Sequence, residues 1–169
     1  MRVREAVLAL LARSPAHGYQ LKLDYERLTR DKPVNVGQIY QTLERLQRDG
    51  LVEREAGDPC DRRISYRVTE AGRAGAYECL LDASQVDRGG NSDVAAKVLL
   101  AVEIADLDTL RVLDAQRSAL LLRVQAARRR SRGSVPSVVE RLGLEADLAV
   151  SEAELRWLDL CEQELKGGA

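Results

Sequence analysis

The chain has 169 residues, 45% hydrophobic and 31% charged, with a net charge of −1. That composition excludes a disordered chain, and with no run of about 18 apolar residues no segment reads as crossing a membrane. Aromatic residues make up 4%, with no Phe, so burial must rest on Leu, Val and Ala, which suits helices better than a large sheet.

Residues 3–12 place Val3, Val7, Leu10 and Leu11 on one helical face, and Ser14-Pro15 ends that helix because the residue before proline avoids the α region. A second helix is expected from about Gly18 to Leu28, burying Leu21, Tyr25 and Leu28. Tyr19 reads as a core residue ahead of a phosphate contact, and Lys22 as a solvated or backbone-touching one. TRDKPV interrupts the pattern, and Asn35 can cap a third helix that Gly50 stops. This third helix has a core stripe of Ile39, Leu43 and Leu46. Its opposite side carries Gln38, Tyr40, Gln41, Thr42 and Arg45.

After Gly50 the period changes from helical to alternating. LVERE and ISYRV read as two strands, and the intervening AGDPCDRR supplies a turn with Arg62 and Arg63 at its tip and Asp58 and Asp61 beside them. Thr69 then caps a fourth helix running to about Leu81. Three helices, a two-stranded hairpin and a fourth helix make a winged helix-turn-helix, whose third helix enters the major groove.

The exposed face of the third helix suits that task. Gln can pair bidentately with adenine and Arg with guanine, so Gln38, Gln41 and Arg45 match base edges. Tyr40 can lie along a sugar with its hydroxyl at a phosphate. The amides around Val36 and Gly37, next to the Asn35 cap, add a partial positive charge. Arg62 and Arg63 would reach a neighbouring groove or its phosphates. Lys and Arg number 14 against 12 Asp and Glu in residues 1–80, and 12 against 15 in residues 81–169, so the front of the chain is the part fitted to approach DNA.

Beyond Leu81, Ser92 can cap a helix through Ile104, and Asp106 or Asp108 a longer one toward Arg130 carrying Leu110, Leu113, Leu120, Leu121 and Val124. RGSVPS is a break, with Arg128, Arg129, Arg130 and Arg132 expected in a solvated loop. A last helix is expected from about Leu144 to Leu165, repeating the apolar pattern of the helix before it with Leu148, Leu155, Leu158 and Leu165. These helices carry more apolar surface than one neighbour needs and should pack on a second copy. Trp157 reads as a core or interface residue, or as the aromatic wall of an effector pocket.

Catalytic chemistry has no foothold. His17 is the single histidine, and Cys60, Cys79 and Cys161 are scattered without ligand spacing. No phosphate-cradling glycine loop is present, so neither an enzyme nor a metal or other cofactor is expected. The apolar run Ala6–Ala12 is too short for a secretory signal, which leaves the cytoplasm as the expected compartment.

HGYQL, GQIYQTLERLQRDGLVE and RRISYRVTEAGR together resemble the PadR family of bacterial transcriptional regulators. The family pattern has Thr after the glycine and Pro after the tyrosine, where this chain has Gln38 and Gln41. The resemblance implies a homodimeric repressor on a two-fold symmetric operator, with release by a small molecule in some members. It also implies that Tyr40, the residues before it and the wing arginines contact DNA. The fold expected is therefore mainly α with a small two-stranded hairpin: a winged helix-turn-helix over residues 1–82 and a helical dimerisation domain over residues 83–169. A winged-helix adaptor that binds protein instead of DNA is the competing reading.

Overall fold

The computed structural model describes residues 1–29, 33–55, 64–83, 93–133 and 137–167, the side chains of 131–133 excepted. Arg62, Arg63, Cys60 and the expected cap Ser92 lie outside the described residues. The chain divides into two compact units, Met1–Leu80 with Ala96–Leu107, and Leu81–Ala95 with Asp108–Ala169.

In the first unit α1 (Val3–Arg13) is the central element. The sequence predicts a single apolar face, yet every residue from Ala6 to Ala12 is buried, because α1 is surrounded by its neighbours in this unit. The alanines make this arrangement fit, since small side chains let neighbouring elements approach from several directions. A two-residue strand, β1 (Ala16–His17), leads into α2 (Gly18–Leu28), which buries Leu21 and Tyr25 as expected. Leu28 is half-buried, and Tyr19 is 61% exposed, not a core residue. The inward line Gly18, Leu21, Tyr25 leaves Tyr19 off the buried face. Lys22 is half-buried and paired with Glu26 at 2.8 Å.

The third helix, α3 (Val36–Arg48), is followed by β2 (Val52–Glu55), β3 (Ser65–Val68) and α4 (Glu70–Leu81). The expected hairpin is present, with Val52 opposite Val68 and Glu55 opposite Ser65. It belongs to a three-stranded antiparallel sheet, not a two-stranded one, because Ala16 and His17 pair with Tyr66 and Ser65 on the other side of β3. β3 is thus the central strand, and its buried Tyr66 packs inward.

The helix α5 (Val94–Glu103) sends Val98, Leu100 and Ala101 into the core, and Glu103 accepts a hydrogen bond from Arg13 at 2.6 Å. The other arm of Arg13 reaches the buried Asp24 at 2.6 Å, so one guanidinium joins α1, α2 and α5. Burial opposes the charge on Arg13, but the hydrogen bonds to Glu103 and Asp24 outweigh it and hold the guanidinium more firmly protonated than usual.

The second unit is built on α6 (Thr109–Gly133) and α7 (Val138–Gly167). Asp108, not Asp106, supplies the cap of α6, accepting from the Arg111 amide at 3.2 Å. α6 runs on past Arg130, so Arg128, Arg129 and Arg130 are exposed on a helix and not in a loop. Arg128 faces Glu152 at 3.2 Å. α7 starts six residues before the expected Leu144. A capping box sets that start: Ser137 Oγ accepts from the Glu140 amide at 3.2 Å, and the Ser137 amide donates to Glu140 Oε2 at 2.8 Å. α6 buries Val112, Leu113, Leu120 and Val124, and α7 buries Leu144, Ser151 and Leu158. Leu148, Leu155 and Leu165 are half-buried.

Candidate nucleic-acid interface

The sequence pattern of α3 is reproduced face for face. Ile39, Leu43 and Leu46 are 0% exposed, while Gln38, Tyr40, Gln41 and Arg45 are exposed. Thr42 is half-buried, and its hydroxyl donates to the Gln38 carbonyl at 2.7 Å, which commits its proton to the helix itself.

Both ends of α3 are tied. At the start, Asn35 Oδ1 accepts from the Gly37 amide at 2.8 Å, and the Asn35 carbonyl accepts from the Gln38 amide at 2.9 Å. Asn35 is therefore first a cap, and the Gly37 amide that the sequence offered to a phosphate is occupied within the chain. Asn35→Ala should lower stability by about 1 kcal/mol, whereas Asn35→Asp, which keeps the acceptor, should stay within about 0.5 kcal/mol of the native chain in urea unfolding. Just upstream, the buried Val34 donates its amide to Glu26 Oε1 at 3.2 Å. Lys22, and then the Val34 amide, hold the Glu26 carboxyl below its ordinary range, so it stays an acceptor at the α2–α3 turn.

At the far end the Gly50 amide donates to the Gln47 carbonyl at 3.0 Å and the Leu51 amide to the Leu46 carbonyl at 2.9 Å, the Schellman pattern. Gly50 has φ 72°, a left-handed conformation that explains glycine at this place. Thr69 then locks the wing to this helix end. Its hydroxyl donates to the Gly50 carbonyl at 2.8 Å and accepts from the Gly72 amide at 3.0 Å, and its own amide donates to the Leu51 carbonyl at 3.0 Å. One threonine thus caps α4, as expected, and fixes where the hairpin leaves α3.

The described stem of the wing is charge-balanced: Glu53 and Arg67 face each other across the strands at 2.9 Å, with Arg54 and Glu55 exposed beside them. Arg4 pairs with Asp49 at 2.8 Å, but both side chains are exposed, so the pair adds little.

Of the residues singled out from the sequence, the fold brings Asn35, Gly37, Gln38, Tyr40, Gln41 and Arg45 onto one helix. Trp157 is half-buried on α7. An open groove of about 780 Å³ in the second unit is lined by Leu81, Ala119, Leu122, Arg123, Arg130 and Asp147 among others, and Trp157 is not part of that lining. Sequence reasoning missed Glu26, which the Lys22–Glu26 spacing of four could have flagged.

Residues 7–78, the stretch from α1 to within α4, match the profile of the transcriptional regulator PadR-like family. They form a PadR-like domain. Among solved structures, the chain is similar to Bacillus subtilis PadR in complex with operator DNA, at 18% identity over 95% of this chain and 97% of that one, with a TM-score of 0.47. It is also similar to the PadR-like transcriptional regulator BC1756 from Bacillus cereus, at 21% identity over 99% and 100% of the two chains, with a TM-score of 0.39. Bacillus subtilis PadR in complex with p-coumaric acid aligns at 18% identity over 97% and 95%, with a TM-score of 0.43. No curated protein matched the chain. Within the PadR-like domain, the side chains of Gln38 and Gln41 are both exposed on α3.

Proposed function

We propose that this chain is a cytoplasmic transcriptional repressor of the PadR type, a binding protein and not an enzyme, that holds a two-fold symmetric operator as a homodimer. Residues 1–82 read the duplex, with α3 in the major groove and the hairpin tip, including Arg62 and Arg63, on the adjacent strand. Residues 83–169 join the two copies. The observation that carries this reading is the division of α3. A fully buried Ile39, Leu43, Leu46 stripe anchors the helix, and Gln38, Tyr40, Gln41 and Arg45 project from the other side of a domain whose family regulates transcription. Support for the dimer comes from apolar side chains left exposed on both long helices, Leu121 and Leu122 on α6 and Val139, Leu142 and Leu160 on α7. An effector that releases the operator completes the proposal, with Trp157 as its candidate aromatic contact.

The test is selection of bound duplexes from a random pool, followed by affinity measurements on the selected sequence. A two-fold symmetric site is expected. Gln38→Ala and Gln41→Ala should each cost about 1–3 kcal/mol on that site while leaving mixed-sequence DNA affinity within about twofold, because amide side chains read bases. Equal losses on both duplexes would assign the glutamines to the backbone, and no selected sequence at all would favour the adaptor reading.

A further inference from the structure

Tyr40 does not stand alone on the reading face. Its ring lies against Gly18, the first residue of α2, so closely that a methyl group there would sit 2.6 Å from Cε1, 2.7 Å from Cζ and 3.1 Å from the hydroxyl oxygen. Carbon atoms in contact normally keep about 3.5–4.0 Å. The backbone gives no other reason for glycine at this place: Gly50 is the glycine with positive φ among the described residues, and Gly18 follows an extended His17 into ordinary helix. Gly37, on α3 itself, is different, since a methyl there would meet nothing nearer than Asn35 Oδ1 at 3.4 Å.

We propose that Gly18 is a positioning residue for duplex recognition: its bare α-carbon is the seat that holds the Tyr40 ring in the pose from which it meets DNA. The proposal rests on the DNA-binding reading above and adds to it a residue that touches no nucleotide. Gly18 is buried and Tyr40 is 42% exposed, so the ring has one supported side and one open side. A methyl at Gly18 can be relieved in two ways. Either the exposed ring swings away, or α2 retreats from α3 and opens the packing around Leu21 and Ile39. The first is far easier, because a half-exposed ring has open space beside it while both of those side chains are 0% exposed. Gly18→Ala should therefore leave the fold in place and misplace the hydroxyl, and a contact displaced by about 1 Å is lost to a phosphate oxygen.

The experiment is a double-mutant cycle in the full chain, read by fluorescence anisotropy on a labelled mixed-sequence duplex of about 30 base pairs, long enough for two half-sites one turn apart. Gly18→Ala is expected to weaken binding by about tenfold or more in the native background, and by less than about twofold in a Tyr40→Ala background, because the ring it displaces is already gone. Equal losses in the two backgrounds, or a loss under about twofold in the native one, would overturn the role of Gly18 while leaving the DNA-binding reading intact. A native chain that binds no duplex overturns that reading, and this proposal with it. Should Gly18→Ala fail to fold, recovery of a cooperative unfolding transition in the double mutant supports the seat, and no recovery overturns it.

Discussion

Gly72→Ala is expected to lower stability by about 3 kcal/mol or more, the largest effect of a methyl group added at any glycine among the described residues. The β-carbon would lie 1.9 Å from the Leu51 carbonyl oxygen, 2.8 Å from the Leu51 carbonyl carbon and 2.7 Å from Val68 Cγ2. Two of these are backbone atoms, and they cannot step aside cheaply. The Leu51 carbonyl accepts the Thr69 amide, the Leu51 amide completes the turn after α3, and Thr69 holds both Gly50 and Gly72. Relief requires breaking that knot, which would free the wing from α3. The matched control is Gly75→Ala in the same helix, where the nearest atom to the new methyl is Leu8 Cδ2 at 3.6 Å, an ordinary contact. There alanine should raise stability by about 0.5–1 kcal/mol, since a helix interior favours it over glycine. Urea unfolding measures both. A Gly72→Ala chain within about 1 kcal/mol of the native one would mean that the α3–wing junction yields more readily than its hydrogen bonds imply.

Much of this junction could be read from the sequence, and the reason is that its signals are local. The α3 stripe of Ile39, Leu43 and Leu46 repeats at helical spacing, and Asn35, Gly50 and Thr69 each mark a boundary through one side chain or its absence. The hairpin announces itself by the switch from a helical to an alternating period. What escaped are features without a repeat or with a partner far along the chain. Ala16 and His17 are too few to show any alternation, so the third strand was invisible. The surrounded state of α1 is signalled by the unbroken apolar run Ala6–Ala12, since a helix apolar on every side is buried, but which elements meet there is not legible in VREAVLALLAR. The start of α7 is legible in the Ser137–Glu140 spacing of a capping box, but the preceding Pro136 and the polar residues around it read as a loop. For the candidate site, side-chain chemistry marked out Gln38, Gln41 and Arg45, whereas the seating of Tyr40 on Gly18 joins two helices and leaves no trace in spacing.

Charging the exposed face of α6 is the second large test. The double substitution Leu121→Glu and Leu122→Glu is expected to yield a folded monomer whose affinity for the selected operator is lower by about a hundredfold or more. The two leucines are 45% and 63% exposed in the single chain, so their replacement removes little packing from it, and surface changes of this kind usually stay within about 0.5 kcal/mol. In the proposed dimer they would be covered, and each carboxylate would then have to shed its water without a partner, a cost of several kcal/mol per ion. Separation of the copies turns one bivalent ligand into two single readers. Linking two modules in a suitable geometry typically adds a factor of about 10² to 10⁴ in affinity, and that factor is what the monomer forfeits. Sedimentation velocity gives the mass, and anisotropy on the operator gives the affinity. The buried α6 residues Val112, Leu113 and Leu120 are unchanged in the charged variant and should keep the helix folded, which circular dichroism checks. A variant that stays dimeric and binds within about threefold of the native chain would move the interface off this face of α6, toward Val139, Leu142 and Leu160 on α7.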